Sequence, residues 1–337
     1  MPPQFQRICS LRHFTPQFTR SLPLLGQRVT VESNHPRLPE LLTATFGQSA
    51  QPIDAPAGRG VRISLWADDS LRFAGNLPAP AYFTQGTLFA LTLGESAFGT
   101  LNLREGTASA WVAPALLHAE PDFVRLNLCE TLALSAAAFA GEFFHLHAGA
   151  VQRNGVMLTL HAPSGVGKST LTYACACAGY KILAEDVVHV RWQTGAPLPE
   201  FWGIPWQLHP LPDITQFFPD VMQHARRVQF NREEKLQIAL PQAFPGAALE
   251  RAQPGALLLL ARSRDGVTRL EPISLDAALA DVQVFWQWQI GWQPRFEAAA
   301  AHLAPLGAFR LQMGAHPASA VAALNELTDR LAPELPR

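Results

Sequence analysis

The chain has 337 residues and a formal net charge of -1, because 26 Lys and Arg residues stand against 27 Asp and Glu residues. A charge this close to zero excludes the global basic field that non-specific nucleic-acid binding requires, so we expect no nucleic-acid partner. Hydrophobic residues make up 48% and charged residues 16%, which excludes a disordered chain and predicts a large core. At about 150 residues per domain, the length favours two domains.

The N-terminal segment is basic and rich in turn-forming residues. The first 28 residues hold four Arg, no acidic residue and scattered Pro. Without a central apolar stretch or an A-x-A cleavage site, residues 1–27 are predicted to be a loosely ordered basic arm and not a targeting peptide. No run of about 18 uncharged apolar residues occurs, so we expect no membrane partner. The four cysteines fit no disulfide framework, and a reduced cytoplasm is the expected location.

Residues 28–120 are predicted to form a small β-rich accessory domain. Short runs rich in β-branched and aromatic residues alternate there with Gly, Pro, Asp and Asn clusters. One helix is expected at LPELLTATF, residues 38–46. The predicted strands are residues 28–33, 61–66, 87–93, 97–103 and 107–113.

Residues 121–337 are predicted to form a second domain with a mixed sheet and an Ala-rich helical C-terminus. Apolar residues recur at three and four between Pro121 and Gly141, which predicts a helix of some five turns. Two strands, FFHLHAGAV and GVMLTLHA, surround the turn signal Asn154-Gly155, and a helix is expected from about Lys168 to Ala178. Further strands are expected at KILAE, VVHVRW, RVQFN, KLQIAL, GALLLLARS and AFRLQM, the last flanked by two helices.

A phosphate-binding motif lies at the start of this second region. Residues 161–170 read HAPSGVGKST, which matches G-x-x-x-x-G-K-[ST] except that Ala162 replaces the first glycine. The segment follows an apolar strand and opens a helix, an arrangement that directs backbone N–H groups and the helix N-terminus towards a polyphosphate. We expect Lys168 to reach the β and γ phosphates and Ser169 to place its hydroxyl on Mg²⁺. The predicted nucleotide-binding residues are Pro163, Ser164, Gly165, Val166, Gly167, Lys168, Ser169 and Thr170.

Two consecutive acids end the strand that follows. Glu185 and Asp186 stand 17 and 18 residues beyond Lys168, at the end of KILAED. Neighbouring side chains on a strand point to opposite faces, so one carboxylate could hold a metal while the other faces an acceptor; two solvated acids at a strand end are the alternative. GALLLLARSRD reaches its first acid only after two Arg and is a poor Walker B strand. The absence of N/T-K-x-D and L-S-G-G-Q motifs disfavours a GTPase or a transporter ATPase.

Three segments together resemble a known family. HLHAGAV, HAPSGVGKSTL and GYKILAEDVVHV are similar to the core of HPr kinase/phosphorylase and related serine-kinase-like proteins, whose fold is shared with phosphoenolpyruvate carboxykinase. The resemblance is specific over residues 143–192 and weaker to about residue 240, and it does not extend to the first 120 residues. It implies an α/β fold of that kinase type, with a P-loop core and a mixed sheet behind the β-rich domain.

The resemblance also implies roles for four side chains. Glu185 stands where the family has an Asp that acts as general base on the acceptor hydroxyl, and Asp186 stands at the acid associated with Mg²⁺. His147 would lie near the transferred phosphoryl group. Lys235 corresponds loosely to a basic position of the family and is therefore counted with the nucleotide-binding residues, as a cation on the transferred group; surface pairing to Glu233 or Glu234 is the alternative. The predicted catalytic residues are therefore Lys168, His147, Glu185 and Asp186, with Ser169 and Asp186 on the metal.

The other candidate site residues each have two interpretations, a functional one and a structural one. Arg226 and Arg227 could contact a phosphoryl group, but a solvated face is favoured. His145 precedes His147 by two residues, and strand packing is favoured over a metal. Glu200 falls roughly where the family has a Glu in a loop, but Trp202 replaces the neighbouring Arg. A cluster of three tryptophans, Trp286, Trp288 and Trp292, could stack a base, with core packing favoured.

These observations predict an ATP- and Mg²⁺-dependent phosphotransferase that acts on a hydroxyl group. The resemblance implies a Ser or Thr of a peptide or protein as acceptor. A kinase of a free hydroxylated small molecule and a non-catalytic NTP-binding sensor are the alternatives. GTP or pyrophosphate in place of ATP, phosphorylase activity and a homo-oligomer are left open by the sequence.

Overall fold

The structure is a computed structural model. It describes residues 15–49, 60–193, 195–230, 233–282, 284–285 and 292–334, with the side chains of residues 284, 285 and 292 left aside. Two compact units divide the chain: the first runs to Gly141 and includes Val228–Glu233, and the second comprises Glu142–Arg227 and Glu234–Arg337. Both contain helices and sheets with mixed strand directions, which confirms a mixed α/β protein.

The first unit is one seven-stranded mixed sheet. Its spatial order is β1-β2-β3-β7-β6-β5-β4, with parallel pairing of β2, β3 and β7 and antiparallel pairing elsewhere. The strands are β1 Phe18–Leu24, β2 Gln27–Ser33, β3 Val61–Ala67, β4 Ala81–Gln85, β5 Leu88–Leu93, β6 Ala97–Asn102 and β7 Thr107–Val112. The helices are α1 Arg37–Phe46, α2 Pro114–Ala119 and α3 Pro121–Ala140.

The edge strand β1 corrects the prediction of a loosely ordered arm over residues 1–27. Leu25 and Gly26 have φ angles of 51° and 70°, the two positive values of a tight hairpin turn, and they join β1 to β2. Only Leu22 and Leu24 of this strand are buried, and Pro23 between them argues against a strand in the sequence. Residues 1–14 lie outside the described residues. Strand β4, which the sequence analysis also did not predict, is the opposite edge of this sheet.

Helix α3 belongs to the core of the first unit. By length and composition it could cross a membrane, but most of it is buried in the protein. Its middle turn, Arg125–Cys129, is a π-helix. A Cβ at Gly99 in β6 would lie 2.5 Å from Leu132 Cδ1, so this glycine lets the helix approach the sheet. The compact units therefore divide after Gly141, whereas the sequence placed its domain boundary at residues 120 and 121.

The other three sheets belong to the second unit, except that residues 228–230 of β15 and Glu233 of β16 fall in the first unit. A six-stranded sheet has the order β11-β9-β10-β18-β21-β19, a five-stranded sheet β17-β13-β12-β8-β20, and a three-stranded sheet β14-β16-β15. The strands are β8 Phe144–Leu146, β9 Ala148–Arg153, β10 Val156–His161, β11 Lys181–Ala184, β12 Val188–Arg191, β13 Glu200–Trp202, β14 Gln207–Leu208, β15 Ala225–Phe230, β16 Glu233–Ala239, β17 Arg251–Ala252, β18 Ala256–Arg262, β19 Arg269–Ile273, β20 Val284–Phe285 and β21 Ala308–Met313. The helices are α4 Lys168–Cys177, α5 Leu240–Ala243, α6 Leu275–Asp281, α7 Trp292–Ala299 and α8 Pro317–Leu331.

The glycine-rich motif segment follows β10, a central strand of the six-stranded sheet. Strands β10, β18 and β21 are parallel, so their carboxyl ends meet at one edge. Helices α4 and α8 and the three-stranded sheet cover one face with an apolar core that includes Leu160, Leu171 and Leu324. The predicted strand FFHLHAGAV is divided at His147: β8 joins the five-stranded sheet and β9 the six-stranded sheet. This residue thus stands where the chain passes from one sheet to the other.

Candidate functional site

The glycine loop, residues 162–167, connects β10 to α4. Gly165 and Gly167 have φ angles of 82° and 114°, in the region that side chains other than glycine rarely adopt. Gly167 is the N-cap of α4, so the free N–H groups of the first helical turn face the loop. Pro163 and Ser164 are exposed, whereas Val166, Ser169 and Thr170 are half-buried. The strand, loop and helix that the motif predicts are therefore all present.

Lys168 points away from solvent into a cluster with His147 and Asp186. Its Nζ lies 2.9 Å from Asp186 Oδ1 and 3.0 Å from His147 Nε2, and the side chain is only 6% exposed. His147 Nδ1 lies 3.4 Å from the same carboxylate oxygen. Burial is the main cause that lowers the pKa of both Lys168 and His147. A neutral imidazole can accept a hydrogen bond from the ammonium, so these groups form one connected polar site.

The two consecutive acids lie in different surroundings. Burial raises the pKa of Glu185, whose Oε2 accepts a 2.5 Å hydrogen bond from His209 N and which also accepts one from the Ser169 hydroxyl. Burial would raise the pKa of Asp186 too, but Lys168 and His147 outweigh it and lower the pKa below its ordinary value. Environments that push two pKa values apart are typical of acid–base sites. Asp186 is thus held ionised, and Glu185 is the more ready to take up a proton.

Lys235 on β16 belongs to the same electrostatic environment. Burial has the largest influence on the pKa values of Glu185, Asp186 and Lys168, and the positive charge of Lys235 contributes a minor lowering to each. Glu234, one of the two possible surface partners of Lys235, pairs with Arg227. That pair, together with the 3.2 Å hydrogen bond from Arg226 to Gln237, favours the structural interpretation of both arginines.

Two further sequence candidates have structural contacts. The rings of His145 and His189 meet edge to face across β8 and β12 with centroids 4.7 Å apart, and burial lowers the pKa of His145 to about 3. Among the described residues no group of three His, Cys, Asp or Glu side chains could hold a metal, so strand packing is favoured for His145. Glu200 accepts hydrogen bonds from Arg191, Arg251 and the Trp202 indole. Trp286 and Trp288 lie outside the described residues, as does the Trp292 side chain.

Mg²⁺ would find suitable donors beside the glycine loop. The candidates are oxygen donors, the Ser169 hydroxyl and the Asp186 carboxylate, and the latter is kept ionised by its surroundings. Mg²⁺ is usually bound through one or two protein oxygens together with waters and substrate phosphates. A cluster of three protein ligands is therefore not required, and the donors present fit this ion.

Sequence analysis missed Arg262 and His161. Arg262 ends β18, and its Nη2 lies 3.3 Å from where a Cβ on Gly167 would stand, so the guanidinium borders the glycine loop. His161 Nδ1 donates a 2.9 Å hydrogen bond to His147 O and ties β10 to the residue between the two sheets. Arg262 could have been found from its position at the end of an apolar strand. The sequence analysis examined that strand only for a Walker B acid and set it aside when none was near.

Comparisons with known proteins add a distant structural likeness. No family model matches the chain, and no curated protein matches it. Among solved structures, the chain is similar to the Hpr(Ser) kinase/phosphatase from Coxiella burnetii, with a TM-score of 0.32 and 12% sequence identity. The aligned region covers 55% of this chain and 88% of that one.

Proposed function

We propose that this protein is a cytoplasmic, ATP- and Mg²⁺-dependent phosphotransferase that moves a phosphoryl group to a hydroxyl acceptor. The observation that carries the proposal is the convergence of Lys168, His147 and Asp186 at the start of the helix that follows the glycine loop. A Lys buried at a helix N-terminus, with acids of opposite pKa direction beside it, suits phosphate binding and proton transfer together. The resemblance to HPr kinase-like proteins supports the same reaction class.

The site residues fall into two groups: one would bind the phosphates and the metal, and the other would accept the proton. The loop N–H groups, Lys168 and Lys235 would bind the polyphosphate and stabilise negative charge on the transferred group. Ser169 and Asp186 would hold Mg²⁺, which when bound neutralises charge at the β and γ phosphates. Phosphate binding would take Lys168 away from Asp186 and so free that carboxylate. The ion pair with Lys168 favours the ionised form of Asp186, the form that can hold the metal.

Glu185 would act as the general base. The acceptor oxygen attacks the γ phosphorus in line, the bond from that phosphorus to the β–γ bridging oxygen breaks, and ADP leaves as the acceptor proton passes to Glu185. The raised pKa of this carboxyl favours proton uptake. His147 would contact the transferred phosphoryl group as a neutral imidazole. The acceptor that we propose is a Ser or Thr of a peptide or protein.

The contact between Glu185 and the Ser169 hydroxyl favours a second assignment of the acids. In this arrangement Glu185 would position the Ser169 hydroxyl that holds the metal, and Asp186 would accept the proton from the acceptor hydroxyl. Substitutions separate the two assignments, because loss of a metal ligand raises the Mg²⁺ concentration needed, whereas loss of the base lowers the rate at saturating Mg²⁺. Glu185→Gln and Asp186→Asn should therefore differ in their Mg²⁺ dependence of phosphoryl transfer.

The proposed activity is tested by transfer of label from γ-labelled ATP to proteins and small molecules of a lysate. We expect the wild-type protein to label an acceptor and Glu185→Gln to bind nucleotide without labelling. A labelled small molecule with no labelled protein would support the small-molecule kinase. If nucleotide binds but no acceptor is labelled, the phosphotransferase proposal fails and the NTP-binding sensor is supported.

A further inference from the structure

His161 is a buried histidine to which the proposed reaction gives no role. It is the last residue of β10 and directly precedes the glycine loop, and its side chain is 3% exposed. Side chains alternate along a strand, so His161 lies on the same face of the sheet as Met157, which is part of an apolar core. Its neighbour in β18, Leu259, is also apolar and buried. A polar ring in such surroundings costs free energy unless it is hydrogen-bonded, so its bonding partner is what distinguishes it from a leucine.

The partner of the His161 ring is the main chain of another segment. Nδ1 lies 2.9 Å from His147 O, and because a carbonyl oxygen can only accept, Nδ1 carries the proton of this bond. The backbone of Asp281, the last residue of α6, also contacts the ring. Burial has the largest influence on the pKa of His161 and lowers it, which favours the neutral ring. A neutral imidazole has one N–H group, so the bond to His147 O uses its only donor.

His147 is the residue whose position this bond controls. It stands between β8, which ends at Leu146, and β9, which begins at Ala148, and these strands belong to different sheets. Its imidazole Nε2 lies 3.0 Å from Lys168 Nζ. Since His161 and Lys168 belong to one continuous strand, loop and helix, the bond fixes the His147 main chain to the segment that carries the lysine. Misplacement of a group at a reaction centre by about 1 Å can lower a rate about 100-fold.

We propose that His161 is a positioning residue of the phosphoryl transfer and that its Nδ1–H, bonded to His147 O, holds the His147 imidazole beside Lys168 and the transferred group. The inference rests on the proposed function and adds to it a residue that acts through another. The glycine loop and Lys168 bind the polyphosphate, so loss of this bond lowers the rate of transfer and leaves the affinity for Mg·ATP unchanged.

Three substitutions separate the two nitrogen atoms of the His161 ring. The amide nitrogen of asparagine stands where Nδ1 stands in histidine, and that of glutamine where Nε2 stands. His161→Asn therefore keeps the donor to His147 O, His161→Gln keeps a nitrogen only on the other side, and His161→Leu keeps neither. At saturating Mg·ATP, we expect His161→Asn to label lysate acceptors from γ-labelled ATP within about threefold of the wild-type rate, and the other two variants to be slower by roughly tenfold or more.

Two controls accompany these rates. Calorimetric binding of Mg·ATP should be the same for the wild type and all three variants, because the loop and Lys168 are unchanged. His189→Leu is the matched substitution, since this histidine of β12 is also buried but packs against His145 outside the site. It should transfer label like the wild type.

A double substitution tests whether His161 acts through His147. His147→Ala removes the imidazole, so in that background His161→Leu should lower the rate no further. Losses that multiply would show that His161 acts by another route and would overturn the proposal.

The position of His147 is also measured without the reaction. In NMR spectra of the ligand-free protein with isotope-labelled histidine, the ring signals of His147 are identified by their loss in His147→Ala. We expect His161→Leu and His161→Gln to shift these signals, and His161→Asn to leave them close to their wild-type positions.

The outcomes separate this inference from the proposed function. If the rate is unchanged in His161→Leu, or if His161→Gln keeps the rate that His161→Asn loses, the positioning role is overturned while the phosphotransferase stands. A rate loss matched by a loss of Mg·ATP affinity would place the effect on the glycine loop and overturn it too. If the wild type binds Mg·ATP but transfers no label, the proposed function fails. The His147 signals then decide alone whether His161 holds that imidazole, and unshifted signals reject it.

Discussion

Lys168 and Asp186 form an ion pair in which Nζ lies 2.9 Å from Oδ1, although the lysine side chain is 6% exposed and the aspartate side chain 51% exposed. The buried cation therefore depends on a partner that solvent can reach. Replacing the partner leaves the ammonium buried with less compensation, whereas an incoming phosphate can take the place of the carboxylate. This relationship underlies the first two predictions.

Asp186→Asn should lower the stability of the ligand-free protein at neutral pH. The pKa of Asp186 is lowered in the folded state, so its ionised form stabilises the fold above the unfolded-state pKa, and this contribution is lost as pH falls through the folded-state pKa. The difference between wild type and variant should stay constant from about pH 7 down to about pH 5 and should shrink as the pH falls below about 4. Urea unfolding at several pH values measures it. A difference that grows towards acid would contradict the pairing.

Lys168→Ala should abolish the thermal protection that Mg·ATP gives to the wild type. The substitution removes the buried cation that the phosphate-binding proposal places on the β and γ phosphates. Lys181→Ala is the matched control, because Lys181 is an exposed lysine whose Nζ donates to Gly246 O outside the site. If Mg·ATP protects Lys168→Ala against heat as well as it protects the wild type, the proposed role of the glycine loop is contradicted.

The rate of phosphoryl transfer should rise with pH through the pKa of Glu185. Burial raises that pKa above the ordinary value for glutamic acid, and only the ionised carboxylate can accept the acceptor proton. The acidic limb of the kcat/KM profile should therefore lie above ~4.3. Glu185→Asp should retain measurable transfer, and Glu185→Gln should remove the limb together with most of the rate. An identical acidic limb in Glu185→Gln would assign the titration to another group.

Gly203→Ala should destabilise the second unit severely. A Cβ at this position would stand 1.7 Å from Leu183 O, which is backbone in the strand that leads to Glu185. The strand and the loop would have to separate, at a cost of about 3 kcal/mol. Gly60→Ala is the control, since the atom nearest to its added Cβ lies at 3.5 Å. Urea unfolding of both variants makes the comparison, and equal midpoints would contradict the close approach.

Glu130→Ala should cost about 3 kcal/mol of unfolding free energy, because it leaves Arg125 buried with less compensation. Arg125 is 3% exposed, donates to Glu130 and to Thr45 Oγ1, and lies 3.3 Å from Asp122 Oδ1. Thr45 also donates a 2.6 Å hydrogen bond to Glu130. Glu120→Ala, at an exposed position before α3, should have little effect. Equal unfolding midpoints for the two variants would show that the network contributes little.

Local sequence patterns predicted most elements of the fold. The alternation in residues 28–33 and 61–66 corresponds to β2 and β3, and the three-and-four spacing after Pro121 corresponds to α3. Seven of the described strands were missed. Strands β13, β14, β17 and β20 have only two or three residues, too few to show an alternation, and β1, β4 and β19 are edge strands. A proline lies within β1 and within β19, which argues against a strand in the sequence but is tolerated at an edge. The break at His147 was missed because a continuous apolar run does not tell which of two sheets each half will join.

The sequence by itself determined the strand–loop–helix segment with Lys168, since glycine freedom, strand alternation and helix spacing are local properties of the chain. Only the tertiary structure decided which groups surround that lysine. His147 and Asp186 stand 21 and 18 residues away in the chain, and Arg262 reaches the glycine loop from 94 residues beyond Lys168. The pairing of β10 with β9 and β18 brings these segments together, and burial there sets the opposite pKa directions of two adjacent acids. Strand pairing and burial are properties of the folded chain that residue spacing does not encode.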